Sequence, residues 1–323
     1  MNVSEESIAI VIPTFNRAKY LDFNLQKLSK LKVQAGEVII IDQSTDSKTK
    51  EVYFKYKKRI RNLKYYYSKK PSIAIAKNLG VSKLSNKSKV VIFLDDDAYV
   101  GKTYLKEIIS GYKTHPEAAG IYGTPFSKKK RTISFKIINS IKRIFRLGAL
   151  VRGDLFFKAP YDNRGRLDLN KEYKTEWFPG TDPSYKTEVF KELKFDENFH
   201  GWSLGEDIDI AYRIQKKFGP LYIVKADITH ENPPEELNPQ REIRRIYMNH
   251  INHLYLYYKL FQDMALGYIW NLIGISLFEL FNLLKINKAP FNSLRFKHYI
   301  KSLYYCYKNK EKIKKGDLSL PIK

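Results

Sequence analysis

Short runs of consecutive apolar residues alternate with amphipathic stretches along the first hundred positions. Residues 8–12 (IAIVI) and 38–41 (VIII) are continuous apolar runs, which is the pattern of strands buried on both faces of a parallel sheet. Between them, Leu21, Leu25 and Leu28 recur at helical spacing. Together these segments predict a βαβ unit.

The alternation continues beyond this unit. A second helix is predicted to end near residue 58, followed by a strand over 63–67, a helix over 73–83 and a strand over 90–94. Strands and helices in this order predict an α/β fold with a mostly parallel, doubly wound sheet flanked by helices. Ligands of such sheets bind beyond the carboxyl ends of the strands.

After Pro239 the pattern becomes helical, starting with 241–260, and 264–284 is the most apolar stretch of the chain. That stretch is long enough to span a bilayer. Its polar and small residues share one helical face: Asn271, Gly274, Glu279 and Asn282. A charge in mid-helix is costly in hydrocarbon, so a helix in the membrane interface or packed on the protein is favoured over a spanning one, and all three remain open.

This organisation predicts two parts, a catalytic α/β domain over 1–239 and a C-terminal amphipathic helical extension over 240–323. Within the first part, no acidic residue occurs between Ala118 and Gly153. Lysines and arginines alternate there with isoleucines and phenylalanines, which defines a basic amphipathic insert at about 127–153. We expect it to contact anionic lipid headgroups or a lipid-linked phosphate, the alternative being a solvated helix that covers the sheet.

Charge narrows the possible partners. The chain of 323 residues has 58 basic and 34 acidic side chains, for a net charge of +24, while 43% of its residues are hydrophobic. Such a composition excludes a disordered chain. It implies a polyanionic partner, which could be nucleic acid, an anionic membrane surface or a phosphorylated substrate.

Cysteine content and the first residues bear on the compartment. The single cysteine, Cys306, excludes an intramolecular disulfide and a cysteine-built zinc site. The opening residues, MNVSEES, are polar and acidic, so we expect no signal peptide. The expected location is therefore cytoplasmic, peripheral at the inner face of the cell membrane.

The strongest chemical signal lies at the end of the predicted strand over 90–94. The apolar run Val91–Leu94 leads directly into Asp95, Asp96 and Asp97. Three adjacent carboxylates at a buried strand end repel one another and raise one another's pKa values. The cluster therefore predicts a neutralising partner, either a divalent metal or hydrogen-bond donors.

Seven motifs in a fixed order extend this signal. They are VIPTFNR (11–17), IIIDQSTD (39–46), SIAIAKNLG (72–80), FLDDDA (93–98), FPGTDPSYKTEVFKEL (178–193), FDENF (195–199) and GEDIDIAYR (205–213). In this order and spacing they resemble the inverting glycosyltransferases of family 2, which have the GT-A fold, a Rossmann-like architecture. The resemblance covers roughly residues 8–232.

The resemblance implies a nucleotide-sugar donor, such as a UDP-, GDP- or dTDP-sugar, and a divalent metal, Mg²⁺ or Mn²⁺. The implied metal ligands are Asp97, Asp95 and His230. The implied donor-binding residues are Pro13, Thr14, Asn16, Arg17, Asp42, Ser44, Lys77, Asn78, Asp95 and Asp96. After Asp42, the family more commonly has an acidic or Asn residue and a small residue, whereas this chain has only Gln43 before Ser44. This departure leaves the identity of the nucleobase open.

The acceptor side is expected at the GEDID motif. An inverting transfer needs a carboxylate that takes the proton from the acceptor hydroxyl, and the resemblance assigns this role to Asp207. Acceptor binding is expected from Trp202, Glu206, Gly180 and Thr181. Asp209 is expected to pair with Arg213, four residues later.

The predicted function is thus metal-dependent transfer of a sugar from a nucleotide donor to a hydroxyl of a glycan or lipid-linked glycan, in cell-surface polysaccharide or glycoconjugate synthesis. One alternative is a polyprenyl-phosphate sugar synthase. Another, from a different class, is a basic membrane- or nucleic-acid-binding protein without catalysis. Nucleic acid is disfavoured because the basic residues mix with aliphatic ones and form no recognisable binding module.

Overall fold

A computed structural model of the protein describes residues 3–124, 144–145, 172–201, 203–230, 238–262, 265–283 and 289–321, without the side chains of 124, 230 and 289–291. The chain forms two compact units. The first comprises Met1–Lys128 and Asn163–Asn232, and the second Lys129–Asp162 and Pro233–Lys323. The domain boundary expected at residue 239 stays a prediction.

The first unit contains all strands of the described residues. They are β1 (Ile8–Thr14), β2 (Glu37–Asp42), β3 (Leu63–Tyr67), β4 (Val90–Phe93), β5 (Ala98–Val100), β6 (Gly120–Thr124), β7 (Tyr173–Thr175), β8 (Ser184–Lys186), β9 (Leu221–Lys225) and β10 (Ile228–His230). Eight of them form one sheet in the order β3-β2-β1-β4-β8-β6-β9-β7, while β10 pairs with β5 in a second, two-stranded sheet.

The helices of this unit fall between the strands, as the hydropathy pattern predicts. They are α1 (Ala18–Leu28), α2 (Lys48–Tyr56), α3 (Ile73–Ser82), α4 (Tyr104–Thr114) and α5 (Glu206–Phe218), with short 3-10 helices at Glu5–Ser7 and Thr187–Lys191. The predicted leucines Leu21, Leu25 and Leu28 are buried on α1. The α/β fold with a sheet flanked by helices is confirmed.

Strand β1 brings the segments that follow three neighbouring strands to one edge of the sheet. It pairs in parallel with β2 on one side and with β4 on the other, with Thr14 opposite Asp42 and Val11 opposite Phe93. Carboxyl ends of neighbouring parallel strands meet at one edge of a sheet. The segments that follow β1, β2 and β4 are therefore brought together there.

The other half of the sheet is mixed. Strand β8 runs antiparallel to both β4 and β6, whereas β6 and β9 are parallel. A three-residue strand such as β8 (SYK) has too short a hydrophobic pattern to be found by periodicity. Its insertion brings the segment just before it, residues 180–183, alongside the carboxyl end of β4, where Pro183 O accepts from Phe93 N at 2.9 Å.

The described part of the second unit is helical. Its helices are α6 (Pro239–Leu260), α7 (Ala265–Leu283), α8 (Ala289–Lys308) and α9 (Lys310–Lys314). Asn238 caps α6 by accepting hydrogen bonds from Gln240 N and Arg241 N, and Pro239 occupies the first turn, as expected for a helix start. Helix α8 packs against both α6 and α7.

Gly80 allows α3 to lie close to the sheet. A Cβ atom at this position would be 2.3 Å from Val11 Cγ1. We expect Gly80→Ala to destabilise the protein by about 1–2 kcal/mol, because overpacking outweighs the gain in helix propensity. The midpoint of thermal unfolding, followed by circular dichroism, measures the effect.

The matched control is Gly111→Ala, in helix α4. It gains the same helix propensity, and its Cβ would meet Val224 Cγ1 at the milder distance of 3.1 Å. Equal unfolding midpoints for the two variants would show that close packing at Gly80 is not a constraint.

Candidate active site

The aspartate triplet lies at the carboxyl end of β4, beside the ends of β1 and β2. Asp96 and Asp97 are buried. Arg17, from the loop between β1 and α1, reaches both of them: its Nη1 lies 3.1 Å from Asp96 Oδ1 and its Nη2 2.5 Å from Asp97 Oδ2. Thr14 Oγ1 also donates to Asp96, at 2.8 Å. The predicted need for neutralisation is therefore met, for two of the carboxylates, by a guanidinium group and a hydroxyl.

Asn24 holds the backbone of the triplet. This buried side chain of α1 donates from Nδ2 to Asp95 O at 3.0 Å and to Ala98 O at 2.7 Å. No motif in the sequence marks Asn24, because an asparagine in an amphipathic helix resembles any solvated polar residue. Its location shows that α1 positions the acidic loop as well as covering the sheet.

Asp42 ends β2 and is also buried. Its two oxygens accept hydrogen bonds from Ser44 N at 2.8 Å and from Tyr65 Oη at 2.7 Å. Ser44 Oγ in turn accepts from Asn16 N at 2.8 Å. The predicted donor-binding residues after β1 and β2 thus form one connected loop pair, and Tyr65 is an additional member that the motifs did not reveal.

Gln43, the departure from the common family pattern, braces this loop pair. Its amide accepts from Ser72 N at 3.1 Å and donates to Lys70 O at 2.6 Å. The side chain is buried. It therefore ties the end of β2 to the start of α3.

Lys77 is the centre of the second carboxylate cluster. It is 1% exposed and donates to Glu206 Oε1 at 2.7 Å. Burial lowers the pKa of its ammonium group, but the charges of Glu206, Asp95 and Asp207 outweigh this effect and raise the pKa above its usual value. Lys77 is therefore not a solvated helix-surface lysine, and its charge lies between the two predicted carboxylate clusters.

A two-residue segment joins the two clusters. Thr181 O accepts a hydrogen bond from Asp95 N at 2.9 Å. At the preceding Gly180, a Cβ atom would lie 3.9 Å from both Asp207 Oδ2 and Lys77 Nζ. Gly180 and Thr181, predicted on the acceptor side, therefore lie at the junction of the two sides.

The pKa values of the GEDID carboxylates are displaced. Burial raises the pKa of Glu206 to about 7, with Lys77 opposing and Asp207 adding to the rise. Burial also raises the pKa of Asp207, while Lys77 and backbone N–H groups of Ile208 and Gly180 oppose it. Because Asp207 is half-buried whereas Glu206 is buried, Asp207 is the one placed to reach a ligand. A carboxylate with a raised pKa can accept a proton from a substrate near neutral pH.

Comparison with known proteins identifies the family of the chain. The family model described as Glycosyl transferase family 2 matches residues 9–175, which is more than half of the chain. The chain belongs to glycosyl transferase family 2. The expected membership is confirmed.

Individual relatives are more distant. The validoxylamine A glucosyltransferase of Streptomyces hygroscopicus subsp. jinggangensis is 26% identical over 243 residues, covering 71% of this chain and 56% of the relative. The poly(ribitol-phosphate) beta-N-acetylglucosaminyltransferase TarS of Staphylococcus aureus is 25% identical over 167 residues, 46% of this chain and 29% of that protein. The chain thus spans little more than half the length of the first of these relatives, and less of the second.

Among solved structures, the mannosyltransferase PcManGT from Pyrobaculum calidifontis, in complex with GDP-Man and Mn²⁺, superposes with a TM-score of 0.55. That alignment covers 93% of this chain and 87% of the other at 14% identity. At this identity the likeness concerns the fold alone. It confirms the expected GT-A architecture.

Two of the predicted residues make further contacts within the protein. The amide of Asn78 donates to Phe195 O and accepts from Phe195 N, both at 2.9 Å, so it clamps the FDENF segment, and its donor-binding role stays a prediction. Glu206 is buried and paired with Lys77, and its acceptor-binding role also stays a prediction. The predicted pair of Asp209 and Arg213 is confirmed, with Arg213 Nε donating to Asp209 Oδ2 at 3.0 Å.

The described residues suit a divalent metal in part. They contain no group of three or more His, Cys, Asp or Glu side chains that could hold an ion. Mg²⁺, however, is commonly held by one or two carboxylates together with substrate phosphates, which Asp95 and Asp97 could provide. Strand β10 places the backbone of His230 opposite Ala98, next to Asp97. Asp97 Oδ2 is also the atom that Arg17 contacts.

Three predictions lie outside the described residues. Trp202 and most of the basic insert over 127–153 are not described, and neither is the side chain of His230. The roles assigned to them stay predictions.

Tyr185 of β8 is a neighbour of the site that the motifs did not reveal. Its buried hydroxyl has no hydrogen-bond partner among the described residues. Burial raises the pKa of this hydroxyl, and the negative charges of Glu206 and Asp207 raise it further.

The raised pKa of Glu206 gives a stability prediction. Between the ordinary pKa of 4.5 and about 7, the unfolded chain loses the proton that the folded protein retains, so this group lowers the free energy of unfolding as pH rises through that window. We expect Glu206→Gln to remove much of this decrease in the free energy of unfolding. Urea unfolding at a series of pH values from 4.5 to 7.5 measures that free energy.

Glu192→Gln, at an exposed carboxylate paired with Lys217, is the matched control and should keep the wild-type pH dependence. If Glu206→Gln also keeps the wild-type pH dependence, burial does not raise the pKa of Glu206 in the folded protein.

Proposed function

We propose that this chain is an inverting glycosyltransferase that moves a sugar from a nucleotide-sugar donor to a hydroxyl of a glycan or lipid-linked glycan, with a divalent metal at the aspartate triplet. Its family membership supports transfer from a nucleotide donor. The acceptor class, the metal requirement and the use of inversion are the finer parts of the proposal.

The observation that carries the proposal is the closeness of two carboxylate clusters with different surroundings. The triplet lies at the sheet edge beside Asp42, and the segment Gly180–Thr181 links Asp95 to Asp207. A sugar transfer needs this division, because one side must hold a leaving diphosphate while the other takes a proton from the attacking hydroxyl.

Each side of the site then has a task. The loops that carry Asn16, Asp42 and Ser44 would hold the nucleoside, since their hydrogen-bonded contacts keep them rigid. Asp95 and Asp97 would hold the metal, which supplies positive charge to a departing diphosphate. The polar contacts of these loops would fix the orientation of the nucleotide, and the charge of the metal would stabilise the leaving diphosphate.

On the acceptor side, Asp207 would take the proton of the acceptor hydroxyl. Burial keeps the pKa of Asp207 above its usual value, which makes it a stronger base than an exposed aspartate. Lys77 keeps the carboxylate ionised enough to act and adds positive charge between the clusters. Glu206 would hold Lys77 in place.

The name of one relative and the bound ligands of one structural neighbour support the acceptor and metal parts of the proposal. One relative is named for N-acetylglucosaminyl transfer to poly(ribitol phosphate), and a structural neighbour is complexed with GDP-Man and Mn²⁺. A cell-surface polymer or glycoconjugate as acceptor, and Mn²⁺ or Mg²⁺ as the metal, are consistent with both.

The donor side predicts metal-assisted nucleotide binding. In a calorimetric comparison of UDP-, GDP- and dTDP-sugars with and without Mn²⁺, we expect one nucleotide class to bind, and Mn²⁺ to tighten it. Asp97→Asn should weaken the Mn²⁺-dependent binding by about 10- to 100-fold, because it removes a carboxylate ligand.

Asp22→Asn, at a half-exposed aspartate of α1 paired with Lys55, provides the matched control and should bind the donor as the wild type does. Indifference to every nucleotide in both the wild type and Asp97→Asn would refute the proposal.

The acceptor side predicts that Asp207 acts after the donor has bound. Release of nucleotide from the donor that calorimetry selects should fall by about 10²- to 10⁴-fold in Asp207→Asn, because the general base is lost. The dissociation constant of the donor should stay within a few-fold. In the wild type, the rate should fall as pH drops through the raised pKa of Asp207.

Full activity of Asp207→Asn would contradict a hydroxyl acceptor and favour a polyprenyl phosphate, whose oxygen is already ionised. Glu192→Gln again serves as the control and should leave the rate unchanged.

A further inference from the structure

Helix α7 in the second unit is apolar outside and polar inside. Every residue exposed on it is apolar, and these side chains, here called the apolar face, recur at intervals of one, three or four residues: Ala265, Leu266, Ile269, Trp270, Ile273, Leu277, Leu280 and Phe281. The large ones are between 43% and 85% exposed. The buried residues of the helix are Asn271, Gly274 and Glu279. A helix on the surface of a water-soluble protein has the reverse arrangement.

The buried polar side is held by specific contacts. The guanidinium of Arg295, on α8, donates to both carboxylate oxygens of Glu279, at 2.8 and 2.6 Å. The same guanidinium pairs with Glu242 of α6. Ser276 Oγ and Tyr299 Oη share a hydrogen bond of 2.6 Å. The one charge of α7 is thus neutralised within the helical unit, so the apolar face carries none.

A large continuous apolar surface on a monomer marks a contact with a partner or a membrane. We propose that the apolar face of α7 inserts into the headgroup and outer acyl region of an anionic lipid bilayer, with the helix lying along the membrane plane. Helices of this kind bind by apolar burial together with attraction between basic residues and anionic lipids.

Charge distinguishes a membrane from a second copy of the chain as the occupant. Helices α8 and α9, together with the residue that follows α9, carry seven exposed lysines: Lys297, Lys301, Lys308, Lys310, Lys312, Lys314 and Lys315. Two copies with this charge would repel each other, whereas an anionic bilayer attracts each basic residue by about 1 kcal/mol. The net charge of the whole chain is +24, which adds to both effects.

Packing argues for an in-plane helix. Among the described residues, α7 is the one helix long and apolar enough to cross a membrane, and only 17% of its apolar window is buried. Its polar side, however, packs on α8, which carries Arg295 and exposed lysines. Moving α7 across the hydrocarbon would take those charges with it, at a high cost.

A second segment meets the apolar face. Trp270 Nε1 donates to Ile144 O at 2.9 Å, and the Trp270 ring stacks on Phe145 with centroids 5.2 Å apart. Ile144 is itself exposed, and both residues belong to the part of the sequence that has no acidic residue between Ala118 and Gly153. Two segments far apart in the sequence therefore contribute apolar residues to one surface.

Vesicle flotation tests this inference on the full chain. The wild type should bind vesicles of phosphatidylcholine with 30% phosphatidylglycerol, and binding should fall with added NaCl and with pure phosphatidylcholine. The double variant Ile273→Glu/Leu277→Glu should bind at least about ten-fold more weakly, because it removes apolar burial and adds repulsion. Both positions are exposed, so its thermal unfolding in solution should match that of the wild type.

Phe54→Glu is the matched control, since Phe54 is 59% exposed on α2 of the first unit; it should bind vesicles like the wild type. Unchanged vesicle binding by the double variant would overturn the proposal. So would a wild type that binds no vesicles and sediments as a dimer, with the double variant monomeric. Resistance of bound wild type to alkaline extraction would indicate a spanning helix instead.

This inference is independent of the proposed sugar transfer. Asp97→Asn should bind vesicles like the wild type, and Ile273→Glu/Leu277→Glu should bind the nucleotide donor like the wild type. Failure of one proposal therefore leaves the other standing.

Discussion

The site depends on the ion pair between the buried ammonium group of Lys77 and the carboxylate of Glu206. A charge without partners in a protein interior costs several kcal/mol, so α3 can pack only where carboxylates meet this group. Glu206 at the start of α5 supplies one at 2.7 Å, and Asp95 and Asp207 add negative potential. The packing of α3 therefore depends on residues of both carboxylate clusters.

Arg17 has a similar part on the other side of the site. Its guanidinium pairs with both Asp96 and Asp97, which offsets the repulsion between these adjacent buried carboxylates. The two sides of the site thus differ in exposure: the side chain of Arg17 is half-exposed, whereas that of Lys77 is enclosed.

Buried charges are also paired in the second unit, but there the pairing leaves an apolar surface. Arg295 satisfies Glu279 and Glu242 inside the helical unit, which leaves α7 with an uncharged, apolar exterior. In the first unit, the paired charges of Arg17 and Lys77 lie at the candidate site. In the second, pairing removes charge from a surface and suits that surface to a non-aqueous partner.

The sequence alone determined the strands β1, β2 and β4, the acidic loop at their ends, and the division of α7 into polar and apolar faces, because each is a local pattern of hydrophobicity. Only the tertiary structure decided that the polar face of α7 is the buried one and that Asn24 and Asn78 clamp backbone segments. It also decided that Lys77 is buried against the carboxylate of Glu206, 129 residues away. The positions of short strands such as β8 were likewise decided only by the tertiary structure. Periodicity reports which face of an element is apolar, whereas the partner of a polar side chain depends on packing between distant segments.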